Sequence, residues 1–342
     1  MAAVLRGAER GAQVSPGPVP GGAGRPALVL LAHGSRDPRA AMTTEDLALA
    51  VSAARPGLDV RVAYLDHAWP RPGEVLAALA ASGAPSAVVV PLLLTSAYHG
   101  TVDVPAVLAD PPLPVHRAPI VGADRLLYPA LLRGVRSALR ARFPVVGYAG
   151  APRFPTALPG ADPTGLSALR SGADRTALST LRSGEAARWL PPQAGRTLPA
   201  QAGRTLPIQA RSGSRTPPGG APCDGLVVIA AGTSDDAARA GLAVVAAELG
   251  EWLGVPARIG FASGPGPGAD RAVAALHAAG AHRVGVASCF LAPGRLYDKA
   301  RDRALRAGAV TVAEPLGAAP ELVELVLTRY AAAVSAPLPA VA

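Results

Sequence analysis

Residues Leu28 to Asp37 read LVLLAHGSRD, and residues Leu226 to Asp235 read LVVIAAGTSD. Each is a short aliphatic run broken abruptly by a glycine-containing turn, the pattern of a strand buried on both faces. The stretches after the two copies also agree. After the first, a helix is predicted over Thr43–Ala54, a strand over Asp59–Tyr64, a helix over Pro72–Ser82 and a buried strand over Ala87–Leu94. A short helix over Val102–Ala109, a strand over Val115–Ala118 and a long amphipathic helix over Asp124–Arg140 complete the block. After the second copy, helices over Ala237–Leu253, Asp270–Ala279, Tyr297–Ala307 and Ala319–Ala333 alternate with strands over Ala257–Phe261, Arg283–Ser288 and Val310–Ala313. Such alternation implies right-handed crossovers and parallel sheets covered on both faces. One unit of about 110 residues is therefore used twice, and the expected fold is a pair of duplicated three-layer α/β/α domains.

The boundaries follow from composition. Residues 1–25 read as a flexible leader, 26–145 as the first α/β domain, 223–335 as the second and 336–342 as a tail. Between the domains, residues 146–222 carry near-copies of QAGRTLP, many prolines and few large apolar side chains. Such a segment cannot bury enough surface to offset its ordering entropy, so a disordered linker is expected. The formal charge of +9 raises the question of nucleic acid. Between Ala151 and Pro222 stand nine arginines against three acids, so +6 of the excess lies in that one segment and the domains are nearly balanced. No nucleic-acid partner is expected. The two cysteines, Cys223 and Cys289, lie far apart and form neither a C-x-x-C pair nor a disulfide framework. A reducing cytoplasm fits that usage, and no apolar run has the length of a membrane span.

The chemistry concentrates at the strand ends. In an open parallel sheet, ligands gather beyond the carboxyl ends of the strands. His33 follows the first strand and His99, in PLLLTSAYHGTVDVP, follows the third, so two imidazoles face one crevice. Imidazole suits Fe²⁺, Co²⁺, Ni²⁺ and Zn²⁺, while a single histidine in such a place also serves simply as a turn residue. Asp103, four residues beyond His99, is placed to share its face of a helix, and His67 in YLDHAWP lies on the same sheet edge. A serine-hydrolase reading fails, because A-H-G-S-R-D lacks the G-x-S-x-G elbow. The Gly34-Ser35 turn could present backbone N–H groups to an anion, although no P-loop spacing follows.

Three segments together resemble the sirohydrochlorin chelatases, the cobalto- and ferrochelatases of the class II chelatase fold. They are LAHGSRDP (Leu31–Pro38), YLDHAWP (Tyr64–Pro70) and VVVPLLLTSAYHGTVDVP (Val88–Pro105), the last carrying that family's H-x-x-x-D-[IV]-P at His99, Asp103 and Pro105. The resemblance implies a divalent metal, Fe²⁺ or Co²⁺ with Ni²⁺ also suited, inserted into sirohydrochlorin for siroheme or cobalamin. It implies no cofactor beyond that substrate metal. His33 and His99 match the family's metal-binding histidines, and Asp103 joins them as a catalytic candidate. Asp66 falls where the family often has Glu, and Trp69 where a second acid is common, which leaves Asp66, His67, Asp103 or a metal histidine as proton acceptor. Ser35, Arg36, Asp66, His67 and Arg117 are the candidates on the macrocycle side, with Arg39 also near, since guanidinium forks match carboxylates. Protonated imidazole does not bind metal, so activity is expected to fall below roughly pH 6. In the second block Ala231 stands for His33 and Leu296 for His99, so one active site per chain is expected, in the first block. A non-catalytic carrier of metal or tetrapyrrole is the alternative.

Overall fold

The computed structural model describes residues 24–95, 103–143 and 223–336. The expected linker, all but the margins of the leader and tail, and His99 lie outside the described residues.

In the first half, β1 (Ala27–Ala32), α1 (Pro38–Ala54), β2 (Val60–Tyr64), α2 (Pro72–Ala81) and β3 (Ala87–Pro91) follow the predicted order. After them come α3 (Val104–Val107), β4 (Val115–Arg117), a 3₁₀ turn (Arg125–Leu127) and α4 (Tyr128–Arg142). The second half repeats the order as β5 (Gly225–Ala230), α5 (Asp236–Leu253), β6 (Ala257–Phe261), α6 (Ala269–Ala278), β7 (Val284–Cys289), α7 (Arg295–Arg306), β8 (Thr311–Val312) and α8 (Pro320–Ser335). The sheets have the same topology, β2-β1-β3-β4 and β6-β5-β7-β8, with every pairing parallel. Leu28 pairs with Val60 on one side and Val88 on the other, and Leu226 pairs with Ala257 and Gly285 in the same places. The duplication read from two sequence openings thus extends to register.

Of the boundaries that differ from the periodicity, two have evident local causes. Helix α1 begins at Pro38 rather than Thr43, because the Asp37 carboxylate accepts a hydrogen bond from the Arg39 N–H at 3.0 Å and caps the helix while proline occupies the first turn. Strand β3 ends at Pro91, short of Leu94. The apolar run continues past it because Leu92 stays buried, its N–H donating to the Leu31 carbonyl at 2.8 Å.

The last helix of each half covers the sheet of the other. On α4, Leu131, Leu132, Val135 and Leu139 pack in one core with Leu226 and Val228 of β5. On α8, Leu322, Leu325, Val326 and Tyr330 pack with Leu28 and Leu30 of β1 and with Val88 and Val90 of β3. Each buried leucine is worth roughly 1.5–3 kcal/mol, so the exchange ties the halves together through their cores. Polar contacts reinforce it: the Tyr330 hydroxyl donates to the Pro26 carbonyl at 2.7 Å, Arg329 pairs with Asp124 at 2.9 Å, and Arg133 reaches Glu321 at 2.6 Å. No described helix is long and apolar enough to cross a membrane.

One of these junctions is pH-sensitive. Glu248 on α5 pairs with Arg125 and accepts a hydrogen bond from the Tyr128 hydroxyl at 2.6 Å. The Arg125 hydrogen bond holds the Glu248 carboxyl below its ordinary value. A depressed folded-state value means that the contact contributes stability above the unfolded value of about 4.3 and loses that contribution as the pH falls through the folded value. Glu248→Gln is therefore expected to cost about 1–2 kcal/mol at neutral pH. The cost should fade as the pH falls below the unfolded value of about 4.3, as read from denaturant midpoints at neutral and acid pH.

Candidate functional site

The turn after β1 is held against the turn after β2 by backbone hydrogen bonds. The Leu65 N–H donates to the Ala32 carbonyl at 2.9 Å and the Asp66 N–H to the His33 carbonyl at 2.7 Å. Such close approach needs glycine at position 34, where φ is +92° and a Cβ would lie 1.7 Å from the Asp66 carbonyl oxygen. Next to it, the Ser35 hydroxyl accepts from the Asp37 N–H at 3.1 Å, which closes the turn into the Asp37 cap.

The second half builds the same device. Ala262 and Ser263 donate to the Ala230 and Ala231 carbonyls at 2.9 and 3.1 Å. Gly232 has φ +102° with a Cβ position 1.9 Å from the Ser263 oxygen, Thr233 takes the place of Ser35 at 3.1 Å from the Asp235 N–H, and Asp235 caps α5. Against this common scaffold the chemical differences stand out. His33 is replaced by Ala231 and Asp66 by Ser263.

A cavity of about 930 Å³ opens at this edge between the halves. His33, Gly34, Ser35, Arg36 and His67 line it from the first half. Across from them the second half contributes Ala231, Phe290, Leu291, Pro293 and Leu296, an apolar wall. The rings of His33 and His67 have centroids 6.2 Å apart and are tilted by 38°. His67 reaches this position from a backbone with φ +60°, uncommon for any residue but glycine. Its loop is secured by Arg71, whose guanidinium donates to the Leu65 carbonyl at 2.7 Å and stacks 4.3 Å from the Trp69 ring centre.

Asp66 sits behind His67. Its carboxylate accepts from the His67 N–H at 2.7 Å and lies 3.4 Å from His67 Nε2, with Arg71 at 3.7 Å. The backbone hydrogen bond from His67 holds this carboxyl below its ordinary value, and the nearby cations add to the effect. It is therefore an anion at neutral pH, able to stabilise a protonated His67. Tyr64, also on the cavity, has its phenol pushed up to about 12 by burial and remains neutral.

The other sequence candidates fall in different places. Asp103 stands at the N-cap of α3, and Arg117 is exposed at the end of edge strand β4; neither lines the cavity. Arg39 is engaged: it joins Asp37 and, across the halves, Asp298 of α7, each at 2.6 Å. His277 is bonded to the Ala281 carbonyl at 2.8 Å, and neither it nor His116 nor His282 lines the cavity. Both cysteines are buried and free, and burial pushes their thiols up to about 11 for Cys223 and about 12 for Cys289, which makes them poor nucleophiles. Among the described residues no group of three or more His, Cys, Asp or Glu side chains converges as a metal cage. The Phe290–Pro293 wall and the cations Arg295 and Lys299 beside it were not singled out by sequence reasoning. They emerge after the third strand of the second half, the place that pointed to His99 in the first.

Comparison with known proteins agrees with this architecture. Among solved structures, SirB from Bacillus subtilis with Fe³⁺ aligns at 15% identity and TM-score 0.54, over 91% of this chain and 96% of its own. The sirohydrochlorin chelatase SirB from Bacillus subtilis subspecies spizizenii in complex with cobalt aligns at 14% identity and TM-score 0.56, over 92% and 97%. At that identity the likeness speaks for the fold. No curated protein sequence matches the chain. The CbiX family matches twice, over residues 27–138 and 225–333, one match for each half of the duplicated scaffold. The two matches together span more than half of the sequence, and the chain belongs to the CbiX family.

Proposed function

We propose that this protein is a metal chelatase that inserts Fe²⁺ or Co²⁺ into sirohydrochlorin, in siroheme or cobalamin synthesis, in the cytoplasm. The observation that carries the reading is the asymmetric cavity: His33 and His67 with ring centres 6.2 Å apart on one wall, and an apolar wall from the other half opposite them. A flat macrocycle packs against the apolar side with one face toward the imidazoles. The iron in one SirB structure and the cobalt in the other support those metals.

In this mechanism His33, as neutral imidazole, presents the metal together with His99, whose assignment rests on the H-x-x-x-D-[IV]-P motif that also contains Asp103. Insertion forms the metal–nitrogen bonds of the macrocycle and releases two protons from its pyrrole nitrogens. His67 takes one of them, with the Asp66 carboxylate 3.4 Å away to stabilise the imidazolium. The second leaves to solvent, since Asp103 does not line the cavity. Ser35 and Arg36 line the macrocycle's seat, whereas Arg117 and Arg39 have no part in it.

The test is the initial rate of the absorbance change when sirohydrochlorin meets Co²⁺ or Fe²⁺ with and without the protein. A protein-dependent rate at least about 100-fold above the free reaction is expected. A rate equal to the free reaction, with metal still bound, would make the protein a carrier.

A further inference from the structure

The cavity is unevenly charged. Among the described residues that line it Asp37 is the only carboxylate, and it shares the Arg39 guanidinium, 2.6 Å away, with Asp298. Arg36, Arg295 and Lys299 also line the cavity, and none of them is paired with a carboxylate among the described residues. Other cations of the fold are held in ion pairs, among them Arg39, Arg125, Arg133, Arg301 and Arg329.

Two of the three uncompensated charges sit on the half in which Ala231 stands for His33. Arg295 and Lys299 are four residues apart on α7 and so share a face. Arg295 is the first residue of the helix, at the positive end of the macrodipole, where a cation weakens the helix, and Lys299 lies one turn further on. Lys299 is, in addition, the single lysine among 33 basic side chains.

We propose that Arg295 and Lys299, with Arg36 from the other half, form a carboxylate anchor that selects flat ligands bearing many acid side arms and seats them with one face toward His33. The inference rests on the tetrapyrrole reading above. It gives the half without a counterpart of His33 a binding role in place of the metal role it lacks.

The experiment is a metal-free fluorescence titration of the full chain with an octacarboxylate porphyrin and a dicarboxylate porphyrin as probes. The wild type is expected to bind the octacarboxylate at least about tenfold tighter, and the preference should shrink as salt screens the charges. The double variant Arg295→Gln with Lys299→Met should lose about tenfold or more of its affinity for the octacarboxylate and hold the dicarboxylate within about twofold. Arg271→Gln, an exposed position on α6 outside the cavity, removes one of those charges from the protein at large and should leave both probes unaffected. Lys299→Arg should retain most of the preference, because the charge remains.

Unchanged octacarboxylate binding in the folded double variant would overturn the anchor, as would an equal loss in Arg271→Gln. The titration contains no metal and no turnover. A wild type that shows the charge preference yet never metallates would leave the anchor standing and overturn the chelatase reading, and normal metallation with unchanged binding in the double variant would do the reverse.

Discussion

His33→Ala should lower the initial rate of metal insertion by at least about 100-fold, because it removes a donor for which the scaffold offers no replacement. The second half shows what the site becomes without it: Ala231 occupies the matching place on an equivalent turn, beside Ser263 rather than an acid. The turn itself is fixed by Gly34, Ser35 and Asp37, whose counterparts Gly232, Thr233 and Asp235 make the same hydrogen bonds without any imidazole. Removing His33 is thus expected to leave stability within about 1 kcal/mol of wild type and to act on chemistry alone. Denaturant unfolding run beside the metallation assay checks both parts. A variant that is as fast as wild type would remove His33 from the site.

Gly34→Ala is expected to do the opposite, striking the scaffold first. The new Cβ would lie 1.7 Å from the Asp66 carbonyl oxygen, on a residue whose φ of +92° already disfavours any side chain. Relief requires the two turns to separate, which breaks the hydrogen bonds from Leu65 to Ala32 and from Asp66 to His33. The backbone penalty and the lost contacts together predict a destabilisation of about 3–5 kcal/mol. Gly232→Ala faces the same overlap, 1.9 Å from the Ser263 oxygen, and should cost a similar amount. The two variants separate in activity per folded molecule. Gly34→Ala displaces His33, Asp66 and His67 together and should lose most of the rate, whereas Gly232→Ala disturbs a turn that carries no catalytic side chain.

Much of this arrangement is legible in the amino-acid order, and the reasons are local. A strand buried on both faces announces itself as an aliphatic run, as Leu28–Leu31 and Leu226–Ile229 do, and the glycine-containing turn after each marks the ligand edge of a parallel sheet. Periodicity alone places the start of α1 at Thr43, five residues late, because the first turn is set by the Asp37 cap and Pro38 and not by apolar spacing. The helix exchange could not be read at all. Amphipathic spacing along Tyr128–Arg142 tells that one face is apolar, yet it carries no information on which of two similar sheets receives it.

The site divides in the same way. His33 is visible because it ends a strand, and Ser35 because it repeats as Thr233. His67 joins the cavity through a left-handed backbone that nothing in YLDHAWP signals. Arg39, close to the turn in sequence, is diverted into an ion pair with Asp298, a residue 259 positions away, which only the folded chain reveals. Arg117 shares the sheet edge but not the cavity, because β4 is the outermost strand. The cations Arg295 and Lys299 belong to no motif, and their meaning lies in the cavity they share with His33.

A duplicated scaffold with one imidazole-bearing wall that works as a catalyst turns over more than once. The direct measurement is a count of turnovers, with wild-type protein mixed with about a tenfold molar excess of sirohydrochlorin and Co²⁺ and the metallated product followed to completion. Full conversion of the excess, at a rate proportional to protein concentration, is the predicted result. Conversion that stops at one macrocycle per chain, or that proceeds no faster than in buffer, would contradict the account.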